Sequence, residues 1–175
     1  MTTVPLKRHP ALQDLSRDHH HALIHAHLLR KSAQGEQNAG PPDQVARDFL
    51  RFWEQDAGPH FREEEEVLLP IYARHTPPSQ DTQVCQMLDD HAWFRDIVLA
   101  LQQQVEAGHD LQELIGEIGR RLHDHVRLEE RHIFERMQEV LTEEDLADLA
   151  DRSRAFREQW RAPGCIGPNL GSKRP

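Results

Sequence analysis

The run Val84-Cys-Gln-Met-Leu-Asp-Asp-His91-Ala-Trp-Phe-Arg-Asp-Ile-Val98-Leu-Ala-Leu-Gln-Gln-Gln-Val105 sets the reading of the whole chain. Positions 84, 87, 91, 94, 98, 101 and 105 alternate three and four apart, the spacing of one helix face turned toward a bundle core. Six of these side chains are apolar. The seventh, His91, is a polar group in a core slot.

The same face is written in three other segments. Residues from about Asp110 to Leu141 give Leu111, Ile115, Ile118, Leu122, His125, Glu129 and Ile133. A segment from Asp43, read as an N-cap, to about His75 gives Ala46, Leu50, Trp53, Ala57, His60, Glu64, Val67 and Ile71. Gly58-Pro59 interrupts it and predicts a kink or short break, because proline lacks the amide its turn requires. From about Ala11 to Ala33 the stripe Leu12, Leu15, Ala22, Ala26, Leu29 selects His19 from the triplet His19-His20-His21. One residue of rotation would exchange His19 for His20. The segment carrying His91 runs from about Ser79 to Ala107, closed by Gly108. A fifth helix opens at the capping box Thr142-Glu-Glu-Asp145 and runs to about Trp160. The expected fold is all-α, an up-down-up-down four-helix bundle with an additional C-terminal helix.

Two glutamates inside such a core, with only histidines for company, are costly unless a cation joins them. Residues four apart share a helix face, so His60 with Glu64 and His125 with Glu129 each aim an imidazole and a carboxylate at one point. Adding His19 and His91 gives four nitrogens and two carboxylates, a set suited to two metal ions of the iron or manganese kind. Glu63, Glu65 and Glu66 read as a solvated charge run. His20, His21 and His25 read as a polar face, and His9, His75, His109 and His123 as surface residues. Glu129-Glu-Arg-His132 has a Glu-x-x-His spacing, but its one companion, Glu106-Ala-Gly-His109, falls at a glycine break.

Composition narrows the partners. A net charge of -9 with a pI near 5.8 leaves no basic footprint for nucleic acid. No stretch is long and apolar enough to cross a membrane, and the first ten residues lack an apolar run of export length. Cys85 and Cys165 cannot form a disulfide framework, so a cytoplasmic location is expected.

At these residues the sequence resembles the hemerythrin-like, or HHE cation-binding, family. Arg17-Asp-His19, Pro59-His-Phe-Arg-Glu-Glu-Glu-Glu-Val67, Asp89-Asp-His91 and His125-Val-Arg-Leu-Glu129 look like its four helix motifs in order, over roughly Leu12 to Met137. The Gly- and Pro-rich stretch 161–175 reads as a flexible tail, and the resemblance implies a bundle domain within residues 1–160. It also implies an oxo- or hydroxo-bridged pair of iron ions, with manganese or zinc as substitutes, held by His19, His60, Glu64, His91, His125 and Glu129. The expected partner is a small diatomic or peroxide ligand. Oxygen-carrying members place a second histidine four residues after the one at His91, where this chain has Arg95. Simple oxygen transport is therefore not the expectation. Sensing, stress response or iron handling is, ahead of two alternatives: an oxidase or peroxidase, and a metal-gated interaction module.

Overall fold

The computed structural model describes residues 7–161, in which five helices and no strand are found. Helix α1 is Gln13–Ala33, α2 covers 42–72, α3 is Thr82–Ala107, α4 covers 112–140 and α5 is Glu143–Arg161. Cys165 and the tail 162–175 lie outside the described residues.

Gly58-Pro59 does not break α2. The helix widens instead into a π turn over Trp53–Ala57, in which the Gly58 amide donates to the Trp53 carbonyl five residues back. Widening the turn accommodates the amide that Pro59 lacks. A β-carbon at Gly58 would stand 2.9 Å from the Trp53 carbonyl oxygen, so glycine suits this turn. The extra residue also rotates the face before it: the buried residues are Val45, Ala46, Phe49 and Phe52, while Leu50 and Trp53 are only partly covered. A second wide turn, Glu64–Leu68, precedes Pro70, and a third, Glu129–Ile133, lies in α4 with no proline beside it.

Helix ends differ from the expected ones by a few residues. Pro41 rather than Asp43 precedes α2, whose first residue is Pro42, a position where a missing amide costs nothing. Asp43 instead accepts from Arg47 at 3.0 Å. Helix α2 stops at Tyr72, short of His75. Helix α3 begins at Thr82, because the Asp81 carboxylate caps the amides of Gln83 and Val84. Gly108, at φ 69°, ends it in the left-handed conformation glycine tolerates. Helix α4 starts at Gln112, two residues after Asp110. The Thr142 hydroxyl accepts from the Asp145 amide while Asp145 accepts from the Thr142 amide, closing the capping box that starts α5.

The apolar core falls into two clusters. One contains Ala22, Phe61, Phe94 and Leu122; the other contains Leu15, Val67, Met87 and Ile133. Along each of α1 to α4 the inward histidines and glutamates lie between these clusters, so a polar layer crosses the core. Helices α1 and α4 approach most intimately. A β-carbon on Gly119 would come within 2.8 Å of the Ala26 carbonyl oxygen and 2.9 Å of Leu29 Cβ. The absent side chain at Gly119 lets α1 bring His19 up to α4.

Gly119→Val should therefore destabilise the protein by about 1–3 kcal/mol, the usual range for overpacking. Urea unfolding would measure it; a variant as stable as the parent would show that the helices need not be so close.

Candidate metal centre

Helix α1 brings in His19, α2 His60 and Glu64, α3 His91, and α4 His125 and Glu129; none is more than 6% exposed. All six side chains selected by periodicity meet in the polar layer. His20 points to solvent, and of the two candidates in α1 it is His19 that faces the polar layer. His132 is likewise exposed, so the Glu-x-x-His pair does not contribute.

The Nε2 atoms converge on the two carboxylates. His19 Nε2 lies 3.0 Å from Glu129 Oε2 and His125 Nε2 lies 3.2 Å from Glu129 Oε1. Glu64 is 3.4 Å from His60 Nε2 through Oε1 and 3.4 Å from His91 Nε2 through Oε2. His19 and His60 face each other at 3.1 Å between Nε2 atoms. Two groups of donor atoms result, His19, His60, Glu64 and Glu129 on one side and His91, His125 and Glu129 on the other, each within 4.8 Å. Glu129 belongs to both.

Each imidazole is held from behind by a carboxylate at Nδ1. Glu130 accepts from His19 at 2.7 Å, Asp18 from His60 at 3.3 Å, Glu65 from His91 at 2.8 Å and Asp90 from His125 at 3.4 Å. Such partners fix the ring orientation and free Nε2 for the centre. Helical register missed them, because it separates inward from outward positions and these four are neither. Their adjacency to the inward residues was the available signal: Asp18-His19, Asp90-His91, Glu64-Glu65 and Glu129-Glu130. The solvated reading of the glutamate run therefore holds for Glu66 alone. Glu65 orients His91, and Glu63 is buried against Arg157 of α5, 2.8 Å from its Nε.

Packing supports the rings as well. Phe61 stacks on His91 at 3.9 Å between centroids, and Phe134 on His19 at 5.3 Å. His25, expected on a polar face, is half-buried against Phe52 at 4.2 Å. A cavity of about 20 Å³, enough for one water-sized molecule, opens beside His60 and Glu129. Its walls are mostly apolar, among them Ala22, Phe52, Phe61 and Leu122, with His21 and Asp56 toward solvent.

Charge dominates the titration. Burial alone would lower the His19 pKa, but the Glu129 carboxylate beside its Nε2 and the hydrogen bond to Glu130 at Nδ1 raise it to about 10. His91 is pushed up to about 11 against its burial by Glu129, Glu64 and Glu65. His125 is raised too, with burial again opposed, by the Glu129 charge and the Asp90 hydrogen bond. Burial raises Glu130, yet the His19 hydrogen bond brings it down to about 2.

The donor set fits metal ions. Both oxygens of Glu64, both of Glu129, and the Nε2 atoms of His91 and His125 are buried and find no hydrogen-bond partner among the described residues. Unpaired buried polar atoms are costly, and their aim at one another gives a cation a ready shell of nitrogen and carboxylate donors. Fold and centre together define an all-helical cation-binding domain. The chain belongs to the family described as the Hemerythrin HHE cation binding domain, whose model matches residues 11–136. Comparison with curated proteins and with solved structures finds no match. Among the described residues, no helix is long and apolar enough to cross a membrane.

A proton on Nε2 must leave before that nitrogen can hold a cation. With His19 and His91 still protonated at pH 7, metal uptake should release protons. Affinity should rise by up to about tenfold per pH unit for each proton released, levelling off above pH 10–11. Titration of the metal-free chain in weakly buffered indicator would read this directly; proton-neutral uptake would contradict it.

Proposed function

We propose that the chain is a non-haem di-iron protein of the cytoplasm that binds or senses oxygen, peroxide or nitric oxide, or handles iron under stress. Helices α1 to α4 form its up-down-up-down bundle, with α5 as the addition. His19 and His60 would hold one ion and His91 and His125 the other, with Glu64 and Glu129 spanning both. Manganese or zinc would suit the same donors. The observation that carries this reading is the set of unpartnered Glu64 and Glu129 oxygens facing four imidazoles in a closed polar layer.

Iron there would supply redox-active, Lewis-acidic positions for a small ligand. The chain's own residues do the rest. Asp18, Glu65, Asp90 and Glu130 retain the Nδ1 protons and so fix which nitrogen faces the centre. Phe61, Phe94 and Phe134 keep bulk water from the layer. The small apolar cavity beside His60 admits a molecule of few atoms and has no place for a larger substrate. Arg95 occupies the position where oxygen carriers have another histidine, and its guanidinium bonds Glu65 at 2.7 Å. Binding or sensing is favoured over turnover, since the Tyr72 hydroxyl, the one tyrosine, is committed to Asp81 at 2.7 Å.

Anaerobic reconstitution should load two ferrous ions per chain, and admitting air, peroxide or nitric oxide should change the optical spectrum. Glu129→Gln, at the residue common to both groups, should abolish the paired loading while the chain stays helical. An unaltered chain that takes up no iron, or only one ion, would end the di-iron reading.

A further inference from the structure

Each of the four outer carboxylates is itself anchored by an arginine. Arg95 bonds Glu65 behind His91 at 2.7 Å, and Arg121 bonds Asp90 behind His125 at 2.9 Å. Both arginines belong to bundle helices, α3 and α4. Arg8 bonds Glu130 behind His19 at 2.6 Å, and Arg157 bonds Asp18 behind His60 at 2.7 Å. These two come from elsewhere: Arg8 from the segment before α1, Arg157 from α5. Neither lies within the residues matched by the family model, 11–136.

The division follows the centre. Arg8 and Arg157 serve His19 and His60, which sit together in one donor group; Arg95 and Arg121 serve His91 and His125, which sit in the other. The outside pair is also the better covered. Side-chain exposure is 15% for Arg8 and 20% for Arg157, against 44% for Arg95 and 33% for Arg121. Of the carboxylates they hold, Glu130 is 21% and Asp18 33% exposed, against 26% for Glu65 and 8% for Asp90, so the difference in cover lies with the arginines.

Both outside arginines are fixed in turn. Arg8 also donates to the Glu130 carbonyl at 2.8 Å, and the neighbouring His9 amide donates to Gln138 at 3.0 Å. Arg157 sits 2.8 Å from buried Glu63 of α2 as well as bonding Asp18 of α1, so one side chain ties both helices of that half. Helix α5 is seated by Arg62 against the rings of Phe156 and Trp160, and by Asp145 against Arg74 and His75.

We propose that the N-terminal segment and α5 clamp one half of the centre, with Arg8 and Arg157 as positioning residues that set the affinity of the His19/His60 position independently of the His91/His125 position. The inference rests on the metal reading above. It makes the two positions unequal by construction: one is held from within the bundle, the other by two elements outside it.

Zinc(II), which leaves nuclear resonance spectra unbroadened, is the probe. In the full chain, R8Q/R157Q should weaken one of two binding steps by about tenfold, the lower end of what loss of outer partners costs a metal site. The other step should stay within about twofold. One equivalent of zinc should then shift the ring nitrogens of His91 and His125 and leave those of His19 and His60. R95Q/R121Q should weaken the opposite step. In the metal-free chain, R8Q/R157Q should broaden or lose the Nδ1–H signals of His19 and His60 alone, and R157K, able to meet one carboxylate rather than two, should fall between. Circular dichroism checks that each variant is folded; if the double variant is not, R157Q alone should act on His60 in the same way. Equal weakening of both steps, unchanged uptake, or undisturbed His19 and His60 ring signals would overturn the clamp. Failure of the unaltered chain to bind zinc would instead overturn the metal reading, and the metal-free ring spectra would still decide the clamp.

Discussion

Two carboxylates, Glu64 and Glu129, stand fully buried where a helical core would ordinarily place leucine. Burying an anion is among the costliest acts in folding, and among the described residues no lysine or arginine reaches either one. Four imidazoles answer them, each reaching Nε2 into the polar layer. That arrangement divides the apolar core into two clusters and dictates which face each helix turns inward.

Much of this could be read from spacing. Helix α3 was legible throughout, since all seven positions of its stripe are buried, and α4 likewise from Leu111 to Ile133. Helix α2 was fully legible only after Pro59; before it Ala46 and Ala57 are buried as expected, but Leu50 and Trp53 are not. The π turn at Trp53–Ala57 inserts a residue that a three-and-four pattern cannot anticipate, and the face upstream shifts to Phe49 and Phe52. The outer carboxylates escaped for a different reason. Glu65 differs on paper from its neighbour Glu66 only in adjoining inward Glu64, and it is the crossing of α2 against α3 that sends Glu65 to His91 and leaves Glu66 to meet Arg62.

The centre has an approximate twofold character that no sequence identity advertises. Helices α1 and α3 each contribute Asp-His, while α2 and α4 each contribute a histidine followed four residues later by Glu-Glu. The aspartate of an odd helix serves the histidine of the next even one, and the second glutamate of an even helix serves an odd one. The symmetry stops at the arginines, where one half is secured by α3 and α4 and the other by Arg8 and α5.

Both Glu64 and Glu129 open a wide turn of the backbone. Each such turn holds one residue more than a regular helix would use over the same height. Excising a single residue from 129–133 would thus leave a chain with better local hydrogen bonding and a wrong molecule, because everything after the cut would swing by about 100°. Phe134 and Met137 would leave the interior, and the stacking of Phe134 on His19 would go with them. In these two helices local regularity and the geometry of the centre are opposed, and a length change too small to notice in a loop would be ruinous here.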